Sequence, residues 1–374
     1  MGTDPSPTPA GATLGVEEEY HLVQPGSATL MNCADLSDRA LAGTAGPELR
    51  PEMLASQVEA ATEVCTDLDQ VRRAIVTMRR NAAAAADQVG ATILATSTHP
   101  FASLSEIEVM PRPRYAGLIE RFGTIVRQFN LCGCHVHVSV PDLDSAVAIM
   151  NLARPYLPVL AALTGSSPFH LGQDTGYDSF RLAWLALWPQ GGPPPQLRSA
   201  EDYLATIGQS AALGLIEDAS AMLWDIRPSS HYPTLEFRAA DTCTDIDDAL
   251  LYAGVVRSLV RVLADRVDTG SQSPTTSDQA LRGARWRSAR YGISELLWSP
   301  GRAELVPAAV VVADLMAELR DDLDAHGEYG VISGLLTQLQ GRGTSAAWQR
   351  QRFASTGSLR EVTLAAMRRT LALD

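Results

Sequence analysis

Lysine is absent from this chain, and all 30 of its basic residues are arginine. The absence excludes a Schiff-base lysine, a lysine nucleophile and the lysine of a phosphate-binding P-loop. Any phosphate group must therefore be bound by arginine, backbone amides or metal ions, and arginine suits two-point contact with phosphate or carboxylate. A GC-rich genome, which favours arginine, alanine, glycine and proline codons, explains the composition but leaves these exclusions in place.

The chain also lacks an excess of positive charge and long apolar runs. Its net charge of -13 argues against nucleic-acid binding, which needs a basic surface for the phosphates. No run approaches the roughly 18 apolar residues of a membrane helix. Residues 1–12 have no basic and apolar signal-peptide regions, and we expect a flexible leader there.

Cysteines are few and do not form a metal-binding pattern. The five lie at positions 33, 65, 132, 134 and 243, and an odd number in a large chain indicates free thiols in a reducing cytoplasm. Cys132 and Cys134 form a C-x-C pair and not the C-x-x-C of structural zinc sites, so we expect no zinc cluster.

The 374 residues are 46% hydrophobic, which suffices for a large core. Neither of the two predicted loops, Trp188–Gln196 and Asp268–Asp278, separates regions of different composition, so we predict a single catalytic domain over residues 13–374. Apolar spacing near 3.6 residues predicts seven helices: Asp67–Val89, Arg114–Asn130, Leu143–Leu163, Ala200–Leu213, Asp245–Val267, Glu304–His326 and Ser358–Leu371. Short segments of period two lie between them, which favours an α+β fold with helices on one face of a sheet.

The first period-two segment is Thr13–Val23. Alternate residues of a strand point to opposite faces. Glu17 and Glu19 therefore share a face with His21, whereas Glu18 lies on the opposite, apolar face and is a weaker candidate for the chemistry.

Three further segments repeat this division into an apolar and a polar face. In Cys132–Val140 the polar face carries His135, His137 and Ser139, and in Thr234–Ala240 it carries Glu236 and Arg238. In Ser56–Val64, Gln57 and Glu59 alternate with apolar residues, and Glu52 could reach the same region from the approach to this strand.

Each pattern alone has an ordinary structural reading. An E-x-E alternation usually marks the solvated face of a strand, and an H-x-H pair can be structural or bind zinc. Stacked in one sheet, the four segments would bring together several carboxylates, imidazoles and an arginine. Clustered carboxylates repel unless a cation compensates them, and Mg²⁺ or Mn²⁺ suits such ligands. Together with an arginine, the set indicates phosphoryl transfer outside the P-loop class.

In these segments the sequence resembles the type 2 glutamate–cysteine ligases, or carboxylate–amine ligases, which are relatives of glutamine synthetase. The resemblance extends from Gly15 to about Leu297 and depends on the order and spacing of its motifs: GVEEEY (15–20), EMLASQVE (52–59), GCHVHV (133–138), DTGYDSFR (174–181), TLEFRAAD (234–241) and RWRSARYG (285–292). It implies a glutamine synthetase-like catalytic domain, in which a curved antiparallel sheet has helices on its outer face and binds ATP between metal ions.

The resemblance also implies a role for each matching residue. Metal ligands are Glu17, Glu19, Glu59, Glu236 and one histidine, for which His135 is assigned. Phosphate contacts are assigned to His137, Ser139, Arg238, Arg287 and Arg290, although the two histidines cannot be told apart. Substrate contacts are assigned to Glu52, Ser179 and Arg181, with Glu52 as an alternative metal ligand. The residues assigned to catalysis are Glu19, Glu236 and Arg238.

The implied enzyme is an ATP-dependent ligase that uses Mg²⁺ or Mn²⁺ and acts as a cytoplasmic homodimer on small molecules, with no nucleic-acid or membrane partner. The γ-carboxylate of glutamate is phosphorylated by ATP, and the amine of cysteine attacks the acyl phosphate to give γ-glutamylcysteine. The nearest alternative is a γ-glutamyl ligase that uses another amine or another acid. A guanidino kinase-like phosphotransferase, a zinc hydrolase and a non-catalytic ATP-binding relative are more remote.

Overall fold

The structure is a computed structural model and describes residues 8–41, 49–270 and 276–373. Within them the strands are β1 (Leu14–Val23), β2 (Leu49–Pro51), β3 (Gln57–Ala61), β4 (Thr92–Leu94), β5 (Gly133–Ser139), β6 (Phe169–His170), β7 (Gln173–Asp174), β8 (Ile226–Pro228), β9 (Thr234–Asp241), β10 (Leu296–Ser299) and β11 (Glu304–Pro307). The α-helices are α1 (Ala34–Leu41), α2 (Leu68–Asp87), α3 (Pro113–Phe122), α4 (Thr124–Arg127), α5 (Leu143–Ala153), α6 (Leu157–Ala162), α7 (Phe180–Leu185), α8 (Ala200–Ala212), α9 (Ile246–Thr269), α10 (Asp278–Tyr291), α11 (Ala308–Ala325), α12 (Tyr329–Arg342), α13 (Ser345–Thr356) and α14 (Leu359–Thr370).

The central element is a seven-stranded sheet with the order β2-β3-β1-β5-β9-β8, in which β4 also pairs with β1. Every pairing in it is antiparallel. All four strands predicted from period-two segments are present, and they are the neighbours β3, β1, β5 and β9. The predicted α+β architecture is therefore confirmed.

One face of the sheet is closed by helices. The apolar side chains of β1, β5 and β9, such as Val16, Val136 and Phe237, are fully buried in one core with residues of α2 and α9. Alternation along each strand places the polar residues on the opposite face. The opposite face of the sheet lines a cavity.

The predicted helices differ from the structure where glycine or proline intervenes. Arg114–Asn130 divides into α3 and α4 at Gly123, whose φ of 57° a helix cannot hold. Leu143–Leu163 is interrupted after Ala153 by a 3₁₀ turn containing Pro155, because proline cannot donate a helical hydrogen bond. The helix predicted over Glu304–His326 was wrong at its start, because Glu304–Pro307 forms β11 and the helix begins after Pro307.

The predicted loops are confirmed in part. Trp188–Gln196 contains no helix or strand, whereas in Asp268–Asp278 helix α9 continues to Thr269 and α10 begins at Asp278. Residues 271–275 of that loop lie outside the described residues.

At the N-terminus, residues 1–7 of the predicted leader lie outside the described residues. The amide of Gly11 donates to the carbonyl of Ser139 at 2.9 Å, so this last part of the leader contacts the end of β5. One stretch of the described residues, Leu143–Ala162, has the length and hydropathy of a membrane span, but 72% of its 18-residue apolar window is buried inside the fold, as in a core helix. The prediction of a single catalytic domain stays a prediction.

Candidate active site

Strand register brings the predicted polar residues together on the open face of the sheet. Glu19 pairs with Glu59 across β1 and β3, Glu17 with His135 across β1 and β5, and His137 with Glu236 across β5 and β9. Directly opposed residues of paired strands share a face, with Cβ atoms about 5 Å apart. Residues separated by up to 118 positions in the chain, Glu17 and His135, thus become direct neighbours.

A cavity of about 690 Å³ lies over this face. Its polar wall consists of Glu17, Glu19, Glu52, Glu59, His135, His137, Glu236 and Arg238. The rest of the lining combines apolar and aromatic side chains with arginines: Met53, Tyr115, Leu118, Phe129, Trp188, Leu223, Arg112, Arg114 and Arg121. One side could therefore bind cations and the other a ligand with apolar and anionic parts.

Glu17 lies between the two imidazoles. Its Oε2 is 3.4 Å from Nε2 of His137 and 3.6 Å from Nδ1 of His135. Burial acts to raise the pKa of Glu17, but its contacts with the two histidines outweigh burial, and the pKa falls far below the usual range. Burial and the charge of Arg238 lower the pKa of His135.

Glu236 is buried between two arginines. Nε of Arg227 donates to its Oε2 at 2.7 Å, and the guanidinium of Arg238 donates to Oε1. Burial would raise the pKa of Glu236, but the charges of Arg238 and Arg227 bring it well below the usual range. Glu236 thus holds Arg238 in the cavity while remaining ionised.

Glu52 and Glu59 carry the opposite pKa shift. Burial and the negative charge of Glu19 raise the pKa of Glu52 to about 8. Burial, and after it the charge of Glu17, also raises the pKa of Glu59 well above its usual value. The clustered carboxylates thus disfavour each other's ionised forms, an effect that a bound divalent cation would offset.

The donor set fits divalent cations. Three groups have ligand atoms within 4.8 Å of one another: Glu17, Glu59 and His135; Glu17, His137 and Glu236; and Glu19, Glu52 and Glu59. Nε2 of His135 and Nε2 of His137 are buried and have no hydrogen-bond partner among the described residues. Oxygen-rich sets with an imidazole suit Mg²⁺ or Mn²⁺ better than zinc.

Five predicted site residues do not line this cavity. Ser139 donates to the carbonyl of Pro9 at 3.1 Å, and Ser179 donates to Asp241 at 2.7 Å. Arg181 is buried and donates to the carbonyls of Ala240 and Arg238 at 3.0 and 3.1 Å, which supports β9 beside the site. Their assigned contacts with phosphate or substrate stay predictions.

The other two are Arg287 and Arg290, which lie on α10. Arg287 donates to the carbonyl of Leu296. The guanidinium of Arg290 lies over the rings of Tyr177 and Tyr291, at 5.6 and 5.0 Å from their centroids. Their predicted phosphate contacts are also untested.

Sequence reasoning missed five arginines of the cavity: Arg50, Arg112, Arg114, Arg121 and Arg227. Two of them, Arg227 and Arg50, form ion pairs with its carboxylates. Arg227 lies in β8, which at three residues is too short to show a period, and it pairs directly with Glu236. Arg50 precedes Glu52 by two positions, the spacing of one strand face, and this signal could have identified it. Arg50 contacts both Glu17 and Glu59.

Comparison with known proteins agrees with this geometry. The family model described as glutamate–cysteine ligase family 2 matches residues 13–365. A protein of Salinispora arenicola strain CNS-205, provisionally named glutamate–cysteine ligase 2, is 38% identical over 345 residues, which are 92% of this chain and 91% of that protein. A Saccharopolyspora erythraea protein with the provisional name glutamate–cysteine ligase 2-1 is 38% identical over 351 residues, or 94% and 92% of the two chains.

Solved structures show the same fold at low sequence identity. The glutamate–cysteine ligase of Francisella tularensis, crystallised with AMP, aligns with a TM-score of 0.69 and 13% identity, over 96% of this chain and 88% of that one. The bifunctional glutathione synthetase of Pasteurella multocida aligns with a TM-score of 0.66 and 15% identity, over 96% of this chain and 52% of that one. These likenesses concern the fold.

Proposed function

This chain belongs to glutamate–cysteine ligase family 2, and from that premise we propose that it is an ATP- and Mg²⁺-dependent ligase that joins glutamate to the amine of cysteine. The γ-carboxylate of glutamate attacks the γ-phosphate of ATP, which gives γ-glutamyl phosphate and ADP. The amine of cysteine then attacks the acyl carbon, and phosphate leaves as the amide bond of γ-glutamylcysteine forms.

One observation supports the proposal most. Glu17, Glu19, Glu59, Glu236 and two imidazoles converge from four neighbouring strands on a single cavity that also contains Arg238. Enzymes of this chemistry mainly position their substrates and stabilise the charge of the transferred phosphoryl group. The cavity has the carboxylates for divalent cations and the arginine for that charge.

Each residue then has a proposed task. Glu17, Glu19, Glu59, Glu236 and His135 would hold the Mg²⁺ ions, which supply Lewis-acid neutralisation of phosphate charge when bound. Arg238, fixed by Glu236, would face the transferred phosphoryl group. Arg114 is exposed at the cavity wall and has no ion-pair partner among the described residues, and its guanidinium would bind a carboxylate of the substrate.

The test is an assay of ADP formation with purified protein, ATP, Mg²⁺ and glutamate, with and without cysteine, and with mass identification of the product. ADP release that needs both amino acids and yields γ-glutamylcysteine would establish the proposal. Phosphorylation of creatine or arginine would instead indicate a guanidino kinase-like activity. Absence of ADP with every acid and amine tested would leave a non-catalytic ATP-binding role.

A γ-glutamyl ligase that uses another amine is the second candidate. It is favoured by the loop that follows α7, since Trp188 and Gln190 both line the cavity and loops of this kind tune specificity without changing the scaffold. ADP release that requires glutamate and an amine other than cysteine would select this candidate and retain the mechanism.

We further propose that the chain acts as a single catalytic domain in a cytoplasmic homodimer. All five cysteines are buried and free, as expected in a reducing compartment. Light scattering during size-exclusion chromatography would test the dimer, because a dimer of 40.1 kDa chains has twice the mass of the monomer.

A further inference from the structure

Arg50 occupies the polar wall of the cavity in the position of a cation. Its Nη1 lies 3.3 Å from Oε1 of Glu17 and 3.5 Å from Oε1 of Glu59. The Arg50 side chain is 47% exposed, whereas the side chains of the two glutamates are only 13% and 14% exposed. A half-exposed guanidinium thus neutralises two largely buried carboxylates.

The backbone explains how Arg50 reaches both groups. Arg50 pairs directly with Glu59 across β2 and β3, and β2 is the edge strand of the sheet. The side chain therefore extends from the edge over Glu59 towards Glu17, and its Nη2 lies 3.5 Å from the hydroxyl of Tyr232. Only its distal end contacts the carboxylates, and a long flexible side chain can withdraw this end at small cost.

The two glutamates that Arg50 contacts are those that the candidate cation groups share. Glu17 belongs to two of the three groups, and Glu59 also belongs to two. A divalent cation that binds these carboxylates would be repelled by a guanidinium at the same position. Arg50 and the cation therefore compete for the same negative charge.

We propose that Arg50 is a built-in counter-ion, which holds Glu17 and Glu59 together in the cation-free protein, is displaced when divalent cations bind, and then contacts the phosphates of the nucleotide. The competition with the cation depends only on the charges in the cavity. The phosphate contact rests on the proposed function. An edge position leaves the freed guanidinium at the mouth of the cavity, where an anionic ligand would enter.

The test measures Mn²⁺ binding without nucleotide by electron paramagnetic resonance. Arg50→Ala and Arg50→Gln should bind Mn²⁺ more tightly than the wild type, on the order of 3- to 30-fold for the loss of one nearby positive charge. Arg50→Lys keeps the charge and should stay within about twofold of the wild type. The matched control is Arg112→Ala, which removes an arginine of the same cavity that pairs with Asp38 instead, and its Mn²⁺ affinity should change less than about twofold.

The phosphate contact is measured separately, with a non-hydrolysable ATP analogue at saturating Mg²⁺. Arg50→Ala should weaken binding of this analogue by about tenfold, the loss of one charge-assisted contact. Unchanged or weaker Mn²⁺ binding in both Arg50→Ala and Arg50→Gln would contradict the role of Arg50 as a counter-ion. Unchanged binding of the ATP analogue to Arg50→Ala would contradict its contact with the phosphates. If the proposed ligase activity is wrong, the wild type forms no ADP from ATP, glutamate and cysteine. The Mn²⁺ affinities of the Arg50 variants do not depend on that activity and still test the counter-ion.

Discussion

Arg79 of α2 and Glu18 of β1 form a fully buried ion pair on the helical side of the sheet. Nε and Nη2 of Arg79 donate to the two carboxylate oxygens at 2.8 and 2.6 Å, and neither side chain has any exposed surface. The guanidinium also donates to the carbonyls of Cys243 and Thr244, and Tyr20 donates to Glu18 at 2.7 Å. The middle glutamate of the E-E-E run thus anchors the strand that presents its two neighbours to the site.

Replacing Arg79 by alanine should destabilise the protein by about 3–5 kcal/mol, because it leaves the Glu18 carboxylate buried without a partner. The measurement is urea unfolding followed by circular dichroism. The exposed control Arg302→Ala, which breaks a surface pair with Asp314, should change stability by less than about 0.5 kcal/mol. A loss for Arg79→Ala as small as that of the control would contradict the structural role of the pair.

Loss of a carboxylate from the cavity should sharply lower catalysis. We expect Glu19→Ala and Glu236→Ala each to lower turnover by more than about 10²-fold, comparable with removal of a preorganised electrostatic contact. Steady-state ADP release is the measurement. Glu63→Ala removes an exposed glutamate just beyond β3 and serves as the matched control. Unchanged turnover in Glu19→Ala or Glu236→Ala would disprove the proposed placement of the cations.

The protein should lose stability in acid through the buried histidine His99. Its Nδ1 accepts the amide of Ala102 at 2.9 Å, so the ring proton is on Nε2, which donates to the carbonyl of Ala28 at 2.8 Å. Burial lowers the pKa of His99 from 6.5 to about 4. The unfolded chain therefore takes up the proton first, and stability present above pH 6.5 falls by about 3 kcal/mol as the pH decreases to 4.

The check is unfolding free energy against pH for the wild type and for His99→Gln, whose amide can donate and accept in the same places. The variant should show a shallower loss between pH 6.5 and 4. His231→Gln, at an exposed position, should keep the wild-type slope. If stability falls equally steeply with pH in all three proteins, His99 is not the cause of the loss of stability in acid.

Gly133 should tolerate no side chain. A Cβ atom built there would lie 2.3 Å from Nη2 of Arg181, and the Gly133 amide donates to Oε2 of Glu19 at 2.6 Å. We expect Gly133→Ala to destabilise the protein by about 1–3 kcal/mol through this overlap and to lower turnover through displaced Glu19. Gly208→Ala, in α8 with nothing within 4 Å of its Cβ, should be neutral or slightly stabilising. The measurements are thermal unfolding and ADP release of both variants. Equal stability and equal turnover of Gly133→Ala and Gly208→Ala would contradict the close contact between Gly133 and Arg181.

The four site strands and the faces of their glutamates and histidines could be predicted because alternation is a local property of an extended chain. Glu17 and Glu19 were assigned to one face and Glu18 to the other, and the structure confirms this. Helix ends were less predictable where a single residue decides, as at Gly123 and Pro307, since apolar spacing continues through such positions.

Resemblance to a family assigned residues that no local pattern selects, such as Arg181 and Arg290, but it did not locate them. In the structure Arg181 is buried against the carbonyls of β9 and Arg290 stacks on two tyrosines. Neither lies in the cavity. A motif identifies a residue type at a position, whereas the neighbours of that residue depend on how distant segments pack.

The sequence by itself determined which side chains point to one face of each strand and that no lysine can contact a phosphate. It also determined that the site strands carry several carboxylates, whose mutual repulsion a cation would compensate. Only the tertiary structure decided that β3, β1, β5 and β9 are neighbours, that Arg227 and Arg238 hold Glu236, and that Arg50 lies between Glu17 and Glu59. The physical reason is that the face of a strand follows from its own backbone, whereas strand order and ion pairing follow from burial of surfaces far apart in the chain.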